Sequence, residues 1–169
     1  MDRRDQALAL FVDALGIEAD ELQKFDGRKT FQKAIYLLQE APFCLDLGFR
    51  YNLYIRGPYS PQLADAGYRL LDDPRSRQAV LDSKRLVASS QRAIDQLRDH
   101  FTGHDRHLDG ELLELVATYH FLTHQTYRYV DDPDEKRTKS EQWIAEHKQD
   151  LIARLPEAVA RLKRLGMID

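Results

Sequence analysis

Three basic residues, Lys29, Lys33 and Arg56, and two tyrosines, Tyr36 and Tyr59, sit in two short segments. Their types suit capture of a carboxylate, a phosphate or an acidic protein loop. Lys29 and Lys33 are four apart and Lys33 and Tyr36 three apart, spacings that share one face of a helix. The second segment reads Arg56-Gly57-Pro58-Tyr59-Ser60-Pro61. Gly57 permits a turn that a side chain would block, and the two prolines stiffen the exit. If the helix face meets this turn, Lys29, Lys33, Tyr36, Arg56 and Tyr59 surround one shallow polar pocket. Gly57, Pro58 and Ser60 then form its corner, and Arg128 and Trp143 are candidates to extend it. The competing reading packs Tyr36 and Tyr59 in the core and leaves the basic residues as a solvated face.

Other candidate chemistry is thinner. His120 and His124 are four apart, as helical metal ligands often are, but Phe121 stands where a metalloprotease motif needs Glu. A core or boundary histidine explains His120 better. His104 and His107 fall in a polar stretch and read as solvated. Arg98 and His104 bracket five residues, echoing the Arg-x(4–6)-His spacing of HEPN ribonucleases, in which arginine steadies a phosphate and histidine moves a proton. Cys44, between Phe43 and Leu45, reads as a buried, inert thiol. Nucleophile elbows, phosphate-binding glycine loops and dinucleotide fingerprints are absent. No cofactor and no metal site are expected, and catalysis is disfavoured.

The elements that must position these residues are mostly helical. Leu8, Phe11, Val12 and Leu15 recur at helical spacing, with Gly16 as a stop. A second helix spans Arg28 to Glu40, with Phe31, Ala34, Ile35 and Leu38 on one face and Pro42 beyond its end. From Phe49 to Arg56 the period changes to two, predicting a strand with Phe49, Tyr51, Leu53 and Ile55 on its apolar side. Its partner is expected at 43–47 or 79–81. Ser60 as N-cap and Pro61 at the first position predict a helix to Leu71. A longer helix carries Leu86, Val87, Ile94, Leu97 and Phe101. The next is capped by Asp109 and carries Leu112, Leu115, Val116 and Tyr119. Residues 125–139 read as a long exposed loop, and two helices close the chain, the second opened by Pro156. The fold class is therefore mainly α, a single compact helical domain over 1–169 with a small β-hairpin. A winged-helix-like element is compatible with the helix–strand–helix order.

Composition bounds the partners. Of 169 residues 43% are hydrophobic and 31% charged, enough for a core and too balanced for disorder. Twenty-five Lys and Arg against 28 Asp and Glu give a net charge of −3, without the basic footprint of a dedicated nucleic-acid binder. Local basic stretches at Arg69, Arg75, Arg77, Lys84 and Arg85, and at Arg161, Lys163 and Arg164, are interleaved with acids or short. One cysteine excludes an internal disulfide. No run approaches the ~18 apolar residues of a membrane span, so a cytoplasmic, non-membrane protein is expected.

The run Arg28-Lys29-Thr30-Phe31-Gln32-Lys33-Ala34-Ile35-Tyr36-Leu37-Leu38, followed by Tyr51-Asn52-Leu53-Tyr54-Ile55-Arg56-Gly57-Pro58-Tyr59-Ser60-Pro61-Gln62-Leu63, resembles the YwgA-like family of small prokaryotic proteins. The shared features are a Gln-Lys-x-x-Tyr-Leu helix and a Gly-Pro-Tyr-Ser-x-x-Leu turn. More distantly the segment is similar to the Panacea, or SocA-like, antitoxin domain. This resemblance, which covers about a quarter of the chain, implies a helical domain with a small hairpin. It further implies a protein-binding role in toxin–antitoxin or phage-defence biology, with a nearby-encoded toxin as partner, either occluded or delivered to a protease. The expected partner-binding residues are Lys29, Lys33, Tyr36, Arg56, Gly57, Pro58, Tyr59 and Ser60. The alternatives are a winged-helix-like DNA-binding regulator and, further off, a HEPN-type ribonuclease.

Overall fold

The helical stripes need one another to hide, and the chain arranges them around a single buried helix. The computed structural model describes residues 1–169, with nine α-helices and one two-stranded hairpin. These are α1 (Arg3–Ala14), α2 (Ala19–Gln23), α3 (Phe25–Gln39), α4 (Pro61–Asp72), α5 (Pro74–Ser83), α6 (Ala88–Phe101), α7 (Gly110–Phe121), α8 (Pro133–His147) and α9 (Leu155–Arg164). The strands are β1 (Asn52–Tyr54) and β2 (Gly57–Tyr59), antiparallel with Asn52 opposite Tyr59 and Tyr54 opposite Gly57. All 38 buried apolar residues form one cluster, so the chain is one domain.

Every residue of α7 from Leu112 to Phe121 is buried, as expected for a helix with apolar residues around most of its circumference. It packs against α3, α8, α9 and β2. Thr30 stands over Gly110, Lys29 over Glu114 and Tyr36 over His120, so α3 and α7 run parallel as the central pair. The amino-terminal helix α1 covers α4, α5 and α6, and a bidentate pair between Asp5 and Arg69 at 2.8 Å fixes α1 to α4.

Local signals set several boundaries. Ser60 Oγ accepts from Leu63 N, with Pro61 at the first turn, and Asp109 accepts from Leu112 N. Gly16 takes φ +72° after α1, a left-handed turn that favours glycine.

Several expectations are corrected. The strand is only three residues long, and it pairs neither with 43–47 nor with 79–81. It pairs with Gly57–Tyr59, directly across the two-residue turn Ile55-Arg56. A Gly-Pro dipeptide reads as a turn, yet Gly57 and Pro58 here form an edge strand, where a missing N–H is harmless. Ile55, at the turn, is 71% exposed instead of lying on the apolar side. Residues 74–83, credited only with a strand patch, form α5, capped by Asp73 with Pro74 in its first turn. The expected loop at 125–139 is confined to 127–132: a π-helical turn, Leu122–Thr126, extends α7, and α8 starts at Pro133 under an Asp132 cap. That helix is mostly solvated, so pairs such as Arg137 with Asp134 and Lys139 with Glu135 replace an apolar stripe. Cys44 is exposed at φ +50°, turned outward while Phe43 is buried.

Candidate functional site

Helix α3 holds the hairpin segment with side chains spaced along one face. Gln32 donates Nε2 to Ser60 O and accepts from Ser60 N, both at 3.0 Å. Seven residues later Gln39 repeats this with Phe49, at 3.0 and 3.1 Å. Seven residues is close to two helical turns, so both amides project from one face of α3 and hold the two arms of the hairpin segment, Gln39 before β1 and Gln32 after β2. Between them, Lys33 Nζ donates to Pro58 O at 2.7 Å. The paired strand is pressed so closely to α7 that a Cβ on Gly57 would lie 2.3 Å from Thr118 Oγ1, and Gly57 itself has φ +89°. The residues of the Gln-Lys-x-x-Tyr and Gly-Pro-Tyr-Ser motifs are therefore, first of all, a staple.

Beneath the hairpin lies Glu114, a lone acid in the apolar run of α7 and 1% exposed. Lys148, just after α8, donates to its Oε1 at 2.5 Å and also to Ile55 O at 3.0 Å. Lys29 forms an ion pair with Oε2 at 2.9 Å, without hydrogen-bond alignment, and Arg56 stands 4.0 Å from Oε1. Burial pushes the Glu114 carboxyl up, but Lys148 and Lys29 outweigh it and hold it below the ordinary carboxylate range. Burial lowers the Lys148 ammonium despite Glu114. Burial also lowers Lys33 to about 7, Glu114 opposing the shift while Lys148 and Lys29 reinforce it.

Above this hub opens a groove of about 430 Å³ between α3, the hairpin and α4. Leu22, Phe31 and Gly67 belong to the covered part of its lining, and Phe25, Tyr54, Ile55 and Tyr68 line it as exposed apolar residues. Its four charged lining residues are all basic: Arg28, Lys29, Lys33 and Arg56. Arg28 donates to the carbonyls of Leu22 and Gln23, which caps the end of α2. Arg56 is half-exposed and makes no hydrogen bond.

Of the eight residues expected at the corner, Lys29, Lys33, Arg56, Gly57 and Tyr59 line this groove. Tyr36, Pro58 and Ser60 do not. Tyr36 is buried further along the same face of α3, against α7, its hydroxyl 2.8 Å from His120 Nδ1, and burial holds the phenol well above its ordinary value. His120 is driven down to about 3 by burial and by His124, whose ring stacks on it at 4.0 Å. His124 Nδ1 in turn faces His120 O at 3.1 Å, so neither Nδ1 of the pair is open. Arg128 and Trp143 do not reach the groove. The first bonds Tyr129 in the loop after α7, and the second stacks on His147 along α8. Arg98 donates to Ala14 O at the end of α1 and lines a shallow cleft that does not include His104, which stands exposed in its own loop.

Sequence reasoning missed Phe25, Tyr54 and Tyr68 because exposed aromatics look like core aromatics until a partner element fails to cover them, and Ile55 because alternation put it on the strand's apolar side. Glu114 did leave a signal, an acid within Leu112-Leu113-Glu114-Leu115-Val116, where burial demands a cation from elsewhere. No protein-family model, curated protein or solved structure matches the chain. No helix is long and apolar enough to cross a membrane.

Proposed function

We propose that this chain is a non-enzymatic, antitoxin-like interaction module that holds a partner protein at the groove between α3, the hairpin and α4. One observation carries this reading: an apolar groove with only basic charges in its lining is bordered by four exposed large apolar side chains. Phe25 and Ile55, which line the groove, stay 57% and 71% exposed at its open border. A protein surface covers both the groove and this border. Tyrosines and arginines at a concave centre are the residues that most often dominate such contacts. The partner is a toxin encoded nearby, acting in the cytoplasm in toxin–antitoxin or phage-defence biology. The chain neutralises it by covering its active surface or by delivering it for degradation. The staple of Gln32, Lys33 and Ser60 supports this role by holding the surface rigid before contact.

The test is co-expression of the full chain with the products of adjacent genes, followed by purification and hydrogen-exchange mapping. The expected result is a stoichiometric complex with protection at residues 52–59 and 64–71. Phe25→Ser and Ile55→Ser, both at exposed positions, should abolish the complex without unfolding the chain. A complex indifferent to both substitutions and protected elsewhere overturns the assignment of this surface.

A further inference from the structure

We infer that the segment received by this groove is an acidic peptide of the partner, with a carboxylate on Arg56 and an adjacent aromatic or long aliphatic side chain between Phe25, Tyr54 and Tyr68. This rests on the reading above and specifies its chemistry. The chain as a whole is acidic, at −3, yet the groove lining holds four basic residues and no Asp or Glu. That local inversion is the charge complement of an acidic segment.

The four basic residues are not equally free. Lys29 is engaged by Glu114 and Asp26, Lys33 by Pro58 O, and Arg28 by the end of α2. Arg28 spends Nη1 alone, whereas Arg56 keeps every one of its donors unspent. Its side chain is 51% exposed, and its nearest acid, Glu114, stands at 4.0 Å. A planar guanidinium with free donors favours two-point contact with a carboxylate. Lys148 holds the carbonyl of Ile55, the residue before Arg56, so the turn presenting the guanidinium is anchored from below. The apolar walls lie within the same pocket as Arg56, which requires acid and anchor to be neighbours in the bound segment.

The test pans the full chain against a phage-displayed library of random linear peptides and titrates labelled copies of the enriched sequences by fluorescence anisotropy. Enriched peptides are expected to carry Asp or Glu beside Phe, Trp or Leu. Exchange of the acid for Lys should weaken binding by about tenfold or more, and added salt should weaken it progressively. Arg56→Gln should remove the discrimination between acid and Lys, and Phe25→Ser should weaken all peptides. Basic or uncharged binders that still respond to Phe25→Ser would overturn the acidic chemistry and leave the groove as the partner surface. Binders that ignore both variants would remove the groove reading as well. Absence of any binder overturns the inference. So does tighter binding of free 4-phenylbutyrate or of a single-stranded RNA oligonucleotide than of any acidic peptide.

Discussion

The interface between α3 and α7 contains two buried polar assemblies at opposite ends, and they are built on opposite principles. At one end Lys29 and Lys148 close on Glu114, with Lys33 beside them, and the assembly is ionic. At the other Tyr36 meets His120, and burial keeps both neutral. The ionic end is tied to backbone carbonyls of the hairpin and opens through Arg56 to the groove. The neutral end is sealed under Tyr51 and Phe121, with only His124 reaching outward. Charge is retained where the fold meets a surface, and it is discarded where the helices meet only each other. Buried ion pairs contribute little net stability compared with apolar packing, so their presence beneath the hairpin calls for another reason. Fixing the one turn that presents Arg56 is such a reason.

The largest effect expected is from breaking the ionic end. Glu114→Gln leaves Lys29 and Lys148 without their counter-charge and should cost about 3–5 kcal/mol, read as a shift of the urea midpoint. Replacing the pair together, Glu114→Leu with Lys148→Met, should recover much of that loss. If the single substitution costs no more than Tyr36→Phe, the two ends are not different in kind.

Next in size is the close contact of β2 with α7. Gly57→Ala adds a Cβ into Thr118 Oγ1 and strains a residue at φ +89°, which should destabilise by about 2–4 kcal/mol. In a Thr118→Ala background the steric part disappears and the conformational part remains, so the cycle separates the two. Additive costs would place the hairpin further from α7 than described above.

The pH dependence of stability distinguishes the ends by window, since both contributions rise with pH but over different ranges. Lys33 is held at about 7 in the fold against 10.5 unfolded, so between those values the unfolded chain binds the extra proton. Stability from this group therefore rises with pH over that window, with a limiting slope of about 1.4 kcal/mol per pH unit for one proton. His120 is held at about 3 against 6.5, so its contribution is complete above 6.5 and is lost as pH falls towards 3. Lys33→Met should flatten the alkaline arm and leave the acid arm, and His120→Phe should do the reverse. Urea midpoints across pH check both. Tyr36→Phe, which removes one neutral hydrogen bond, should cost about 1 kcal/mol in the same assay.

The two ends also differ in how readily the sequence disclosed them. Lys33, Tyr36 and Gly57 drew notice because their spacing and types are local signals, and α3, α4 and α7 were placed by their stripes and caps. Their partners were not legible. Glu114 lies 81 residues beyond Lys33, and Lys148 a further 34 beyond that, so only the packed fold brings them together. The hairpin itself was expected, but its second strand was hidden because Gly57-Pro58 follows turn chemistry, whereas that strand is held by Lys33 and, just beyond it, Gln32 from a helix. Exposed residues such as Phe25 and Tyr68 obey no periodicity that separates them from core. Their role rests on what fails to cover them.

The smallest expected change in stability is the one that sharpens the comparison most. Arg56 is half-exposed and 4.0 Å from Glu114, a geometry in which an ion pair contributes under about 1 kcal/mol. Arg56→Gln should therefore leave the urea midpoint nearly unmoved, in contrast to Glu114→Gln directly beneath it. Loss of the co-expressed partner in this well-folded variant would separate holding the surface from being the surface. A large destabilisation instead would make Arg56 part of the ionic assembly, with the guanidinium committed inward. The groove would then lose its one free cation, and the contrast between a functional end and a sealed end of the α3–α7 pair would fail.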